Sequence, residues 1–242
     1  MYNYGIIGNC NISGLISKTG SLDWLCLPRP DSPPVFGKLL DDNGGFFDIS
    51  LGKDHNVSFV QNYIINTNIL KTEARETSTG KLLYEIFDFC PRFEQYGRTF
   101  RPFYLFRTIV PGETSVGIRI RCKPVSGWNK TLVAPDRGNS HLRWEIRGEH
   151  LRLTSNAPIT YLMEEREFLL TEPIYLALSW GSAIEADLKT VAREFLNKTI
   201  QYWQNWVKHC NIPPLYQHQV IRSALTLKLQ CFEDTGAILA AP

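Results

Sequence analysis

The chain has 242 residues, 43% of them hydrophobic, so it is long enough to bury one large core or one core plus part of another. Its 26 basic and 24 acidic residues leave a formal charge of +2, which argues against the broad basic surface that a nucleic-acid partner would require. The first eight residues lack the pattern of a signal peptide, and no apolar run is long enough to cross a bilayer. We therefore expect a cytoplasmic protein without a membrane or nucleic-acid partner.

Residues 4 to 180 predict a large antiparallel sheet assembly, because short β-branched and aromatic runs alternate there with turn residues. Three hairpins are expected where a glycine, which adopts positive φ at little cost, lies between two such runs. Their turns are Lys18–Gly20, Thr77–Gly80 and Arg147–His150.

Residues 116 to 122 alternate as a half-buried strand requires: four apolar side chains fall on one face, and Arg119 and Arg121 fall on the other. Because antiparallel sheets of more than about ten strands rarely stay open, roughly a dozen strands predict two packed sheets. The predicted fold is mainly β, an antiparallel β-sandwich.

The pattern changes at Ser182, which fits a capping box with Glu185 at the start of a helix. Apolar residues then recur every three or four positions to about Cys210, and Pro213 and Pro214 end this helix. A second helix is predicted over residues 215 to 232, with apolar positions on several faces, so it should need several packing partners.

The chain ends in an apolar segment, residues 237 to 242, which leaves two alternatives. Either the chain stops inside a larger helical domain, or this tail packs against the sandwich. On the first alternative, the chain divides into a β-sandwich domain (1–181), a linker helix (182–212) and the start of a truncated helical domain (213–242).

Six cysteines are scattered without a Cys-x-x-Cys spacing, so buried reduced thiols are expected rather than disulfides or a metal site. The histidines are also isolated from one another, and we predict no metal ligand and no cofactor. They are His55, His141, His150, His209 and His218.

Three segments carry a resemblance to a known family. The first is YGIIGNC (residues 4–10) with GSLDWLCLPRPDSPPVF (20–36), the second is LSWG (178–181), and the third is YWQNW (202–206) with RSALTLKL (222–229) and TGAILAAP (235–242). Together they resemble the start of the bacterial and archaeal members of glycoside hydrolase family 15, the glucoamylase and trehalase-like enzymes.

This resemblance implies an N-terminal super-sandwich, a helical linker and the first helix of an (α/α)6 catalytic barrel. It also implies an inverting hydrolase of α-glucosidic bonds, in which one carboxylic acid protonates the leaving oxygen and a second carboxylate activates water. Both family glutamates would lie beyond the position of Pro242, so no catalytic residue is assigned within this chain.

Other acidic pairs are poor substitutes for the missing glutamates. Asp41 and Asp42 fit a solvated turn. Glu164 and Glu165, followed by Glu167, fall along a predicted strand and should point mostly to water.

The loop from Asp23 to Phe36 is the candidate substrate-binding segment, since prolines stiffen it around Trp24, Arg29 and Asp31. Aromatic faces stack on sugar rings, and Arg or Asp side chains bind hydroxyl groups, so these residues could line the mouth of the neighbouring domain's pocket. The alternative is that the loop braces the sandwich against that domain. Trp203 and Trp206 could likewise form a sugar platform, but their helical spacing favours packing.

The leading hypothesis is the non-catalytic N-terminal region of such a hydrolase, with its own C-terminal catalytic domain and an oligosaccharide as partners. A second hypothesis is a carbohydrate-binding module without enzymatic activity. A third is a scaffold that folds and covers the barrel, which predicts either low solubility or a homo-oligomer such as a dimer, through apolar surface left bare on residues 215 to 242.

Overall fold

The computed structural model describes residues 3–52 and 56–242. Met1, Tyr2 and the predicted isolated histidine His55 lie outside the described residues. Two antiparallel sheets pack face to face, which confirms the β-sandwich.

The first sheet contains seven strands within the described chain, with β4 pairing alongside β3. In spatial order they are β1 (Tyr4–Gly8), β2 (Ser13–Ser17), β3 (Leu22–Cys26), β5 (Phe46–Leu51), β12 (Val116–Lys123) and β16 (Phe168–Leu170), with β4 at Pro34–Phe36.

The second sheet contains eight strands within the same described ranges. In spatial order they are β13 (Asp136–Arg137), β14 (His141–Ile146), β15 (Glu149–Ser155), β17 (Ile174–Trp180), β11 (Tyr104–Pro111), β8 (Leu82–Phe89), β7 (Leu70–Glu76) and β6 (Val57–Tyr63). A separate hairpin joins β9 (Phe93–Gln95) to β10 (Arg98–Phe100).

The core lies between the two sheets, and fully buried aromatic rings from both of them meet there. Phe36 and Phe47 come from the first sheet, and Tyr84 and Trp144 come from the second. The alternation predicted for β12 is confirmed for three of its four apolar residues: Val116, Ile118 and Ile120 are buried, and the residues between them are only half-buried. The fourth, Cys122, is half-buried and packs against the edge of the core. Because successive strand side chains point to opposite faces, this period places the apolar set in the core.

The three predicted hairpins form, with one correction. Gly20 and Gly80 have φ values of +85° and +74°, as a tight turn requires. In the third hairpin the turn is only Arg147 and Gly148, both with positive φ, and Glu149 already belongs to β15. Two positive φ values in a two-residue turn match the natural twist of the flanking strands, so the strands extend further than predicted.

The acidic segment Glu164 to Glu167 was wrongly predicted to be a strand. A short helix α1 (Ile159–Met163) begins after Pro158, and Glu164 and Glu165 follow it before β16 begins at Phe168. Ile159 and Leu162 are buried on one side of this turn of helix, so packing against the core favours helix over an extended strand here.

A long helix, α2 (Leu188–Lys208), covers the outer face of the second sheet. Leu188 and Ala192 on the helix pack against Phe106, Tyr175 and Ala177 on the strands. The capping box at Ser182 and Glu185 was wrong. The Asp187 carboxylate caps the helix instead and accepts a hydrogen bond from the Thr190 amide at 2.8 Å.

The predicted helix over residues 215 to 232 is shorter than expected, and forms α3 (Gln217–Leu229). Leu225 and Leu229 on α3 pack with Trp203 on α2, with Ile6 on β1 and with Cys10 in the loop that follows β1. The last predicted residue of this helix, Phe232, leaves it because its backbone pairs with another strand. Within residues 3–52 and 56–242, no helix combines the length and apolar character that a bilayer span requires.

After α3 the chain forms a small hairpin, β18 (Cys231–Phe232) and β19 (Ala237–Ile238), which the sequence did not predict. Its turn contains Gly236 with φ +73°. The amide of Glu233 donates to the carbonyl of Cys10 at 3.1 Å, so this hairpin contacts the loop between β1 and β2.

Candidate functional site

The segment from Asp23 to Phe36 was predicted to be one loop, but only residues 27–33 form a loop, because residues 23–26 lie in β3 and pair with β4 (Pro34–Phe36). The segment begins from an anchored position. Asp23 is 4% exposed, and its carboxylate accepts hydrogen bonds from the Tyr4 hydroxyl at 3.0 Å and the Ser21 hydroxyl at 2.5 Å. Its carbonyl accepts from the amide of Leu39 at 3.0 Å. These bonds hold both ends of the loop region against the first sheet.

Arg29 and Asp31 meet at the exposed crest of this loop. The Arg29 Nε lies 2.8 Å from Asp31 Oδ1, and Nη2 lies 3.1 Å from Oδ2, which is the two-pronged geometry preferred by guanidinium and carboxylate. The hydrogen bonds from Arg29 hold the pKa of the Asp31 carboxyl below its ordinary value. The pair therefore presents a fixed donor and acceptor to solvent.

Arg29 also contacts the C-terminal hairpin, because its guanidinium carbon lies 5.3 Å from the centre of the Phe232 ring. A cation held over an aromatic face is attracted by the ring's quadrupole. The loop is thereby placed beside the segment that follows α3.

The sequence analysis placed Trp24, Arg29 and Asp31 in one candidate site, but Trp24 has a different neighbour from the other two. Its indole lies 6.3 Å from that of Trp128, between ring centres, and the two planes are tilted by 48°. Trp24 is 9% exposed, whereas Trp128 is 60% exposed. The structure thus brings Arg29 and Asp31 together and directs Trp24 toward a second aromatic residue.

A cluster of charges fastens the C-terminal hairpin to the sandwich. Glu233 is paired with Arg92, with Lys228 at 3.0 Å and with Arg101 at 3.3 Å. Asp234 is paired with Arg101 at 2.6 Å. Desolvation by burial acts to raise the pKa of Glu233, but the hydrogen bonds from Arg92 and Lys228 outweigh it and hold that pKa below its ordinary value.

Sequence reasoning missed Trp128 and the Glu233 cluster. Trp128 lies on a short 3₁₀ turn, Gly127–Asn129, whose glycine-tryptophan pair between turn residues could have indicated an exposed aromatic. The cluster had no such signal, because Arg92 and Glu233 are 141 positions apart in the chain.

Three of the five carboxylates considered as acid–base candidates are engaged in ion pairs. Asp41 lies 2.7 Å from Lys130, and Glu165 lies 2.9 Å from Lys123. Glu164 is paired with Arg166 at 2.6 Å. Among the described residues, no group of three or more His, Cys, Asp or Glu side chains could hold a metal ion.

Trp203 is fully buried between the helices and the first sheet, and Trp206 is half-buried beside it, with 6.2 Å between ring centres. Trp203 is therefore a packing residue, as its helical spacing favoured.

The fold defines this chain as an antiparallel β-sandwich protein with a helical C-terminal extension, in which α2 packs on the second sheet and α3 packs against the first. The family model described as "Trehalase-like, N-terminal" matches residues 3–162, and the chain belongs to that family.

Several curated proteins that are similar to this chain are named trehalases. The chain is 32% identical over 267 residues to the trehalase of Mycolicibacterium smegmatis, covering 99% of this chain and 39% of the relative. It is 29% identical over 248 residues to the trehalase of Thermoplasma volcanium, again covering 99% and 39%. It is 32% identical over 213 residues to trehalase 1 of Sulfolobus acidocaldarius, covering 84% and 34%. The chain thus spans between about one third and two fifths of the length of these relatives.

Proposed function

We propose that this chain is the non-catalytic N-terminal region of an inverting hydrolase of α-glucosidic bonds, of the glycoside hydrolase family 15 type. The observation that carries the proposal is the trehalase-like N-terminal match over residues 3–162, combined with trehalases of which the chain spans only 39%. Trehalose is the first substrate to test, and maltose and isomaltose represent the glucoamylase and glucodextranase alternatives.

In this proposal the reaction takes place in a C-terminal (α/α)6 domain that completes the protein. The general acid and general base would be two carboxylates about 6.5–9.5 Å apart, which leaves room for the attacking water. We assign residues 1–181 to the sandwich domain, 182–212 to the linker and 213–242 to the start of the helical domain. The proposed location is cytoplasmic.

The role of this region is to support the helical domain. Four large apolar side chains in and around α3 and the C-terminal hairpin support this, because they are exposed and suited to pack against further helices. They are Leu215 (70% exposed), Tyr216 (76%), Leu227 (62%) and Ile238 (73%).

Arg29 and Asp31 are proposed to contact substrate or the pocket rim from the side of the sandwich. Their support is the contact of Arg29 with Phe232, which places the exposed ion pair beside the segment leading into the helical domain. Trp24 is nearly covered by its neighbours, so its proposed role at the pocket rim is to position the ring of Trp128 rather than to contact substrate itself.

The sequence encoded beyond Pro242 provides the first test, since the proposal requires two glutamates in a helical domain there. The whole protein should release glucose from at least one of trehalose, maltose and isomaltose. With trehalose, proton NMR should detect one β-glucose and one α-glucose per molecule cleaved, because the configuration is inverted at one anomeric carbon.

Residues 1–242 alone should release no glucose from any of the three sugars. Glucose release by this chain, in amounts that follow its concentration through purification, would show that the chemistry lies within it and would defeat the proposal. Replacement of either downstream glutamate by glutamine should abolish hydrolysis by the whole protein.

A further inference from the structure

Two tryptophans form an aromatic corner on the first sheet, away from the core between the sheets. Trp24 pairs across the strands with Leu15, a residue on the face that packs against the helices rather than in the core. Trp128 approaches Trp24 from the 3₁₀ turn, at 6.3 Å and 48°. Because Trp128 is 60% exposed, much of its indole surface is open to a ligand.

The corner forms one wall of a cleft of about 250 Å3. Leu40, Asp41 and Lys130 also line this cleft. Sites for drug-sized ligands enclose about 300–1,000 Å3, so this cleft is sized for a single ring rather than a long chain.

The backbone around the cleft is preformed. The amide of Gly37 donates to the carbonyl of Gly44 at 2.7 Å, and the amide of Gly44 donates to the carbonyl of Asp41 at 2.7 Å. A Cβ at Gly44 would lie 2.5 Å from the carbonyl carbon of Gly37, so only glycine permits this close approach. A ligand entering such a cleft orders little additional chain, which lowers the entropic cost of binding.

The rim carries one anionic acceptor and one cationic donor. Lys130 Nζ lies 2.7 Å from Asp41 Oδ2, and Asp41 Oδ1 accepts from the Asn43 amide at 2.9 Å. These two bonds, that of Lys130 first, hold the pKa of Asp41 below its ordinary value, so the carboxylate is charged at neutral pH. Both side chains are about 40% exposed and remain within reach of a ligand's hydroxyl groups.

An exposed indole face beside a carboxylate and an ammonium group is an arrangement that can bind a sugar ring. The apolar C–H face of a pyranose packs on an aromatic surface, while its hydroxyl edge donates to a carboxylate and accepts from an ammonium group. Among pyranoses, a glucose ring fits this arrangement best, because its ring hydroxyl groups are equatorial and leave both C–H faces apolar.

We propose that this cleft is a non-catalytic subsite that binds one glucose ring of a glucoside. The ring stacks on Trp128, and its hydroxyl groups bind Asp41 and Lys130. Among the described residues that line the cleft, Asp41 is the one carboxylate, whereas glycoside hydrolysis uses two, so the subsite holds sugar without cleaving it. The choice of a glucoside rests on the proposed function.

The subsite can be tested on residues 1–242 by NMR of the tryptophan indole N–H groups. The chain has six tryptophans, and each contributes one indole signal. Titration with trehalose, maltose and maltoheptaose should shift the signals of Trp24 and Trp128, with a dissociation constant on the order of millimolar for one ring. Sorbitol, which has hydroxyl groups but no ring face, should shift neither.

The variant Trp128→Ala should weaken sugar binding at least about tenfold, and it also assigns the Trp128 signal. Trp128 is largely exposed, so the indole signals of the four tryptophans other than Trp24 should keep their positions and report an intact fold, whereas that of Trp24 moves because its neighbouring ring is gone. The matched control is Tyr96→Ala, which removes an aromatic ring that is 95% exposed outside the cleft and should leave affinity unchanged.

The proposal would be overturned if the signals of Trp24 and Trp128 did not shift at sugar concentrations up to roughly ten times the expected dissociation constant. Unchanged affinity in Trp128→Ala would also overturn it, as would shifts confined to Trp206, which lines a different cleft between α2 and β9. These outcomes are separable from the proposed function. A whole protein that hydrolyses trehalose while the chain shows no indole shift refutes the subsite alone.

Discussion

Asp88 on β8 and Arg107 on β11 lie directly opposite each other in the second sheet, and both side chains are completely buried. The Arg107 Nε lies 2.7 Å from Asp88 Oδ1. Arg107 also donates to the carbonyl of Phe47 in β5 at 2.6 Å and to the carbonyl of Gly20 in the turn between β2 and β3, both of which belong to the first-sheet side. One buried side chain therefore ties the two sheets together.

Replacing Arg107 by methionine should lower the free energy of unfolding by about 3–5 kcal/mol, because Asp88 is left buried without its counter-charge. The double variant Arg107→Met, Asp88→Leu should recover much of this loss, since no unpaired charge remains. Urea unfolding followed by circular dichroism measures both values.

The exposed pair of Glu194 and Lys198, 2.6 Å apart on α2, provides the control. The variant Glu194→Gln should change the unfolding free energy by less than about 0.5 kcal/mol, because solvent screens this pair. A loss of under about 1 kcal/mol in Arg107→Met would contradict the assigned role of the buried pair.

Acid should loosen the C-terminal hairpin before the sandwich unfolds. The pKa of Glu233 is lowered from 4.5 in the folded chain, so its contribution to stability is present above about pH 4.5 and is lost as pH falls through the lower folded value. Hydrogen exchange should show decreasing protection of the amides of Glu233 and Leu239, which bond to the carbonyls of Cys10 and Gln230.

The variant Glu233→Gln should lower protection of these two amides by about 1–2 kcal/mol at neutral pH and remove its dependence on pH. Amides of β14 and β15, far along the second sheet, provide the internal reference. Equal pH dependence in the variant and the unmodified chain would assign the effect to another group.

Removal of the Trp203 ring should destabilise the helical extension strongly. Trp203 is fully buried, and its ring centre lies 5.2 Å from that of Tyr202. Trp203→Ala should cost about 3–5 kcal/mol by urea unfolding, because it opens a cavity between the helices and the first sheet. Leu227→Ala, at a position 62% exposed on α3, should change stability by no more than about 0.5 kcal/mol. Similar losses in the two variants would contradict the packing role of Trp203.

The cysteines should differ sharply in reactivity toward iodoacetamide at pH 8. Burial raises the pKa of Cys10 and of Cys26 to about 11 from 9.0, which reduces the thiolate fraction about 100-fold. Burial raises the pKa of Cys90 as well. Cys210 and Cys231 are partly exposed, so peptide mass spectrometry should find them labelled first.

In urea all six thiols should react at similar rates, because the structure contains them as free cysteines. Labelling of Cys10 or Cys90 in the native chain as fast as that of Cys231 would show that these sites open to solvent.

Local rules predicted much of the β-sandwich. The alternation in β12 and the glycine turns at Gly20 and Gly80 depend on residues close in sequence, and both were confirmed. Helix boundaries were less accurate. Ser182, the predicted cap, instead places its hydroxyl 3.0 Å from that of Tyr104, and Asp187 caps the helix. Several residues before a helix can act as caps, and tertiary contacts decide among them.

The candidate site was predictable only in part. The spacing of Arg29 and Asp31 allowed an ion pair within one loop, and the structure contains it. The contact between Trp24 and Trp128 could not be predicted from the sequence, because Trp128 is 104 positions away and approaches Trp24 from a short turn after β12.

By itself the sequence determined the strand pattern, the two amphipathic helices and the resemblance to a glycosidase family, because these properties depend on residue order along the chain. The tertiary structure alone decided which distant side chains meet. It joined Trp24 to Trp128, Arg92 to Glu233 and Asp88 to Arg107, and it ended α3 three residues early so that Phe232 could pair in a hairpin. The physical reason is that burial and charge pairing act through space, and their partners are chosen only when the sheets and helices have packed.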